Sequence, residues 1–163
     1  MNATALARQN HWVCFSLDAR RFALPLDVVI RIVRAAEITP LPRAPAIVAG
    51  AIDVAGHILP VFDLRRHLRR PGRDPGLDDH FLIAQTARRR VALIIDAALG
   101  VVDALPLLPV TPMPLAAELA HLQGVLSLPD GLAVIEDLER FLKPGEQAAL
   151  DAALSDAESG HAG

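Results

Sequence analysis

The sequence predicts a mostly β protein, built as two small barrels that share a core and carry short helices. Three observations lead there. Many short apolar runs stand between Pro and Gly breaks. Few stretches hold a helical period for long. The chain also repeats itself.

The repeat is read from two phrases. Gly50 to Leu68 and Gly124 to Leu142 match at a constant offset of 74. Gly50 answers to Gly124, Ile52 to Leu126, Val54 to Leu128, Ile58 to Leu132, Asp63-Leu64 to Asp137-Leu138 and Arg66 to Arg140. Upstream, Arg21 to Asp27 matches Arg90 to Asp96 at offset 69, and Ile32-Val33 matches Val101-Val102. The chain thus divides into two similar halves, 11–68 and 80–142. Strands can exchange between related barrels, so sequence halves need not be structural halves.

In chain order, residues 1–10 read as a loose arm. His11 to Leu17 alternates, and Phe22-Ala23-Leu24 completes a hairpin through Asp18-Ala19-Arg20. Val28, Val29, Ile32 and Val33 fall at helical spacing, with Asp27 as a possible cap, and predict a short helix or turn. Ile38 to Pro45 is Pro-rich and extended, and Ala46 to Ala49 reads as a short helical or bridging segment. Ile52 and Val54, a turn at Gly56-His57, and Ile58 to Phe62 predict a second hairpin. Asp63 then sits where a helix cap belongs, before Leu64 and Leu68.

Arg69 to Asp79 reads as an exposed linker. His80 to Thr86 and Arg90 to Ile95 form a third hairpin, and Asp96 to Leu105 a short helix or bent strand. Leu105 to Pro114 is another Pro-rich crossing, and Leu115 to Leu122 makes one or two helical turns. After Pro144-Gly145, Glu146 to Ala157 sets Leu150, Ala153, Leu154 and Ala157 on one stripe of a helix. The expected organisation is an arm over 1–10, the double barrel over 11–145, and a helix with tail over 146–163.

Composition narrows the function. Apolar residues make up 52% of the 163, enough for a sound core. No run is long enough to span a membrane and no signal segment opens the chain, so a cytoplasmic protein is expected. Cys14 is the sole cysteine, which excludes an internal disulfide and a zinc site; it reads as an inert packing residue. The six histidines show no metal-binding spacing, and the four serines show no nucleophile elbow. No phosphate-binding Gly loop is present. Neither a catalytic set, a metal site nor a cofactor is therefore expected.

Charge is lopsided. Residues 1–90 hold 14 Arg against 8 Asp and Glu, whereas 91–163 hold 2 basic and 11 acidic residues. The basic run Arg65, Arg66, Arg69, Arg70 and Arg73 lacks interleaved aromatics, which argues against nucleic acid and for a solvated or acidic-protein surface. A binding module remains.

The motifs Arg21-Phe22-Ala23-Leu24-Pro25-Leu26, Val29-Ile30-Arg31-Ile32, Pro42-Arg43-Ala44-Pro45 and Gly50 to Leu64 resemble the CheW-like family. The Gly, the Pro-Val pair and the Asp-Leu pair of Gly50 to Leu64 all fall in register. The resemblance implies two five-stranded, SH3-like barrels packed together. It also implies a free-standing, non-enzymatic adaptor, a divergent family member, joining chemoreceptor tips to the regulatory domain of a CheA-type histidine kinase. Such an adaptor would be cytoplasmic, recruited to membrane receptor arrays, and able to build rings with kinase domains.

By resemblance, the receptor-binding positions are Val29, Arg31, Ile32, Gly50, Val54 and Ala55, with the apolar ones at a seam between barrels; no kinase-binding residue is assigned. Two positions depart from the family pattern. Ala55 replaces the arginine that usually precedes the turn Gly, and Arg31 stands where a Glu is favoured. Losing one charge and reversing another should alter partner choice. The rival reading is an interaction module of another signalling system, holding a different kinase or scaffold.

Overall fold

The alternating runs become ten strands. β1 (His11–Leu17) and β2 (Arg20–Pro25) form a hairpin, and β3 (Val29–Arg34) follows. β4 (Val48–Val54) and β5 (His57–Phe62) pair next, ahead of the short α1 (Leu64–His67). β6 (His80–Gln85), β7 (Arg90–Ile95) and β8 (Ala97–Asp103) lead to β9 (Leu122–Leu128) and β10 (Gly131–Glu136). α2 (Pro144–His161) closes the chain. The computed structural model describes residues 10–67, 76, 78–106 and 122–161. Nearly all of the expected arm, most of the linker, and nearly all of the crossing and helical turn expected over 105–122 lie outside them.

The strands form two five-stranded sheets, ordered β8-β1-β2-β10-β9 and β3-β6-β7-β5-β4. These orders are one pattern written twice: replacing β1–β5 by β6–β10, and the reverse, turns one into the other. Each sheet takes its leading hairpin from one repeat and its other three strands from the other. The parallel joints agree, with Ile135 beside Ala23 in the first sheet and Val61 beside Ala92 in the second. So do the bulges. β3 skips Ile30 against β6 and β8 skips Leu99 against β1, while β4 skips Ala49 and β9 skips Gln123.

The bulge at Ile30 corrects one expectation. Val28 to Val33 is not a helix: one 3-10 turn, Leu26–Val28, gives way to β3, and no side chain caps it, so Asp27 is no cap. An extra residue flips the phase of a strand. Val29 and Ile32 therefore both pack on the main core although three apart, which imitates a helical spacing. The β-branched run itself favours a strand. Similarly, Asp96 to Leu105 resolves into strand β8. The segment 46–49 is bridging rather than helical: Ala46 and Ile47 turn, and Val48 and Ala49 already belong to β4.

The tight turn of the second hairpin is Ala55-Gly56 rather than Gly56-His57, with φ of 52° and 87° as a two-residue hairpin turn requires. α2 begins at Pro144, where a missing N–H costs nothing, and Glu146 accepts from the Lys143 N–H at 2.9 Å.

The central strands are buried on both faces, as their almost unbroken apolar runs require. Val13, Phe15, Leu17, Phe22 and Leu24 of the first sheet join Leu82, Ala84, Val91, Leu93 and Ile95 of the second in one shared core. The alternate residues turn inward: Trp12, Cys14 and Ala23 pack with Leu126, Ala133 and Ile135, and Phe81, Ile83, Ala92 and Ile94 with Ile52, Leu59 and Val61. Each large side chain so buried contributes about 1.5–3 kcal/mol. Phe15 stacks on Phe22 at 5.7 Å, and Phe62 meets Phe141 edge-on at 5.9 Å. Leu150 inserts α2 into the shared core.

Candidate functional site

The six positions singled out in the sequence separate into two groups. Val29 and Ile32 are half-buried and pack against the shared core from the edge strand β3. Gly50 is buried, at φ 153°, where a side chain would strike the Thr39 carbonyl and lie 2.6 Å from Ile38 Cγ2. Its lack of a side chain lets the extended segment bridge onto β4, with Thr39 and Ala51 exchanging backbone hydrogen bonds of 2.8 and 2.9 Å. None of these three lines the hollow described next.

Arg31, Val54 and Ala55 form the second group, and the structure brings them together. They line one surface hollow of about 170 Å³ with Ile30, Leu59 and Arg90. The bulge pushes Ile30 out to 42% exposure, and the turn presents Ala55. The hollow has an apolar floor and a basic rim. Among the described residues, no carboxylate lies within ion-pairing distance of Arg31 or Arg90. Arg90, which the sequence offered only as part of the basic stretch Arg88 to Arg90 and as the match to Arg21, was not among the six positions singled out.

A larger groove of about 580 Å³ runs between the Thr39–Arg43 segment, the β4–β5 hairpin and α2. Its walls include Pro40, Leu41, Ile52 and Ile58. No group of three or more His, Cys, Asp or Glu among the described residues could hold a metal. Burial pushes the Cys14 thiol above its ordinary value, against the pull of the Arg21 charge, which leaves it protonated and unreactive. No helix among the described residues is long and apolar enough to cross a membrane.

Arg65 also departs from expectation. It is not part of a solvated basic run but is 2% exposed. Its Nε donates to Asp18 Oδ1 at 2.8 Å and its Nη2 to Asp96 Oδ1. Asp96 Oδ2 in turn accepts from the Asp18 N–H at 2.8 Å. Asp63 caps α1 by accepting from the Arg65 N–H at 3.1 Å, as the sequence suggested. The triad ties the β1–β2 turn and the β7–β8 junction to the chain just past β5, locking the two sheets together at the end of β5 and β7 away from the hollow.

Two sheets that share a core and display an apolar, basic-rimmed hollow have the form of a protein-interaction module. The chain belongs to the CheW-like domain family, whose model matches residues 11–148. It is 27% identical over 146 residues to Protein FrzA of Myxococcus xanthus, covering 87% of this chain and 91% of that one. It is 25% identical over 139 residues to Chemotaxis protein CheW of Rhizobium meliloti, covering 84% and 90%. Among solved structures, the scaffolding protein TtCheW from Thermoanaerobacter tengcongensis superposes with a TM-score of 0.69 at 25% identity, covering 80% of this chain and 85% of that one.

Proposed function

We propose that this protein is a non-catalytic adaptor that couples chemoreceptors to a CheA-type histidine kinase. One observation carries the reading: the CheW-like family match runs from residue 11 to 148, through both sheets. Relatives named for chemotaxis and a structural neighbour titled a scaffolding protein support it. The receptor's helical tip docks on the second sheet, over Val54, Ala55 and Arg31, with Val29, Ile32 and Gly50 holding that surface in shape. The regulatory domain of the kinase binds elsewhere on the adaptor, and alternation of the two builds rings at the receptor array. Coupling is mechanical: a change in the receptor shifts how adaptor and kinase are held.

Calorimetry with the kinase regulatory domain and a receptor-tip fragment from the same genome tests this. Micromolar binding to each, about −8.2 kcal/mol at 1 μM, and a ternary complex are expected. Binding to neither would overturn the adaptor reading and leave the fold untouched.

A further inference from the structure

The internal repeat contains a template for the empty rim of the hollow. Arg90 of β7 corresponds to Arg21 of β2 at offset 69, and Gly56 of the β4–β5 turn corresponds to Asp130 of the β9–β10 turn at offset 74. In the first sheet this pair is closed. Arg21 Nη1 donates to Asp130 Oδ1 at 2.6 Å, and Nη2 donates to the Asp130 carbonyl at 2.9 Å. The Arg21 guanidinium holds the Asp130 carboxyl below its ordinary value.

In the second sheet the same corner is open. Arg90 lines the hollow beside Ala55, but the turn offers a glycine where its twin offers a carboxylate. A side chain at Gly56 would meet nothing within 4 Å. Arg31, whose counterpart in the first sheet is Gly100, adds a second guanidinium to the rim. An arginine pair over an apolar floor of Ile30, Val54 and Leu59 suits an acidic side chain flanked by apolar ones.

We propose that Arg90 and Arg31 seat a carboxylate from the receptor tip at the β4–β5 turn, in the place that Asp130 fills at the twin turn. This rests on the adaptor reading and deepens it. It makes Arg90 and Arg31 specificity-determining residues, in place of the arginine that family members usually carry where this chain has Ala55. The partner receptor presents a Glu or Asp on an otherwise apolar helix face.

The test uses the full chain and the receptor-tip fragment, with Kd measured by calorimetry and folding checked by circular dichroism. Arg90→Glu weakens tip binding by about tenfold or more, and the wild-type affinity falls with added salt. Gly56→Asp supplies an internal carboxylate, quenches Arg90 and weakens binding likewise. Gly56→Asn, which bears the same backbone strain without the charge, stays within about twofold of wild type. A tip variant with its acidic residue changed to Lys restores binding to Arg90→Glu. If the wild type binds the tip and Arg90→Glu binds equally well, the inference falls and the adaptor reading stands. Equal losses for Gly56→Asp and Gly56→Asn also overturn it. A wild type that fails to bind the tip overturns both.

Discussion

At one corner of the molecule Arg65 lies buried between Asp18 and Asp96; at the twin corner, 74 residues on, Glu139 lies exposed and accepts a single 2.8 Å hydrogen bond from the Ala87 N–H. Both residues follow a capping aspartate, since Asp137 accepts from the Glu139 N–H at 3.0 Å as Asp63 does from Arg65. Both reach the turn of their own repeat's leading hairpin, which lies in the other sheet. The backbone task is the same, and opposite charges perform it. The repeats have kept their geometry and divided their chemistry. One corner is a buried ionic lock, and the other is a surface contact beside α2, where Arg89 pairs with Asp151.

The contrast is sharpest in stability. Arg65→Met leaves Asp18 and Asp96 facing each other without their cation. Breaking a buried ion network in this way costs about 3–5 kcal/mol, to be read from the urea midpoint. A loss below about 1 kcal/mol would show that water already does the work of Arg65. Next comes Gly50→Ala, where the added Cβ meets the Thr39 carbonyl and the left-handed φ is strained. A loss of about 3 kcal/mol is expected by the same assay.

A second difference lies at the ends of β5 and β10. Phe62 in one repeat answers to Glu136 in the other, and each pairs across a bulge, with Val48 and Leu122. Glu136 is 7% exposed, and burial first, then the charge of Asp137, raises its carboxyl to about 7. A raised carboxyl binds its proton more tightly in the folded chain than in the unfolded one. Its stabilising effect is therefore complete below about 4.5 and lost as pH rises through about 7. Glu136→Gln should stabilise the protein by on the order of 2–3 kcal/mol at pH 8 and by nothing at pH 4. Paired pH-melting curves measure the gap, and parallel curves would contradict it. Smallest is Glu139→Gln, which keeps an acceptor for Ala87 and should cost under about 1 kcal/mol in the urea assay that reads Arg65→Met.

Much of this was legible in the chain, and what was not has identifiable causes. Val13, Phe15 and Leu17 alternate with Trp12 and Cys14, so β1 could be read directly, and the repeat emerged from constant offsets. Which strands exchange could not be seen, because the pairing of β2 with β10 joins residues 112 positions apart, Phe22 with Val134 and Ala23 with Ile135, and no local pattern encodes it. β3 was misread because its bulge imitates a helical period. Arg65 was misread because a charge within an arginine run looks solvated until its two carboxylates are placed around it. In the candidate site, Val54 and Ala55 were named through one motif and Arg31 through another. Their convergence in one hollow, with Arg90 on its rim, depends on how the second sheet brings β3 and the β4–β5 turn to the same surface.

The adaptor account is tested most directly by reconstitution. Receptor-containing membranes and the CheA-type kinase from the same genome are mixed with and without this protein, and kinase autophosphorylation is followed as receptor ligand is added. The account predicts that the ligand changes the kinase rate only when the protein is present, and that Arg90→Glu blunts the change. A kinase that follows its receptors equally well without the protein would contradict it.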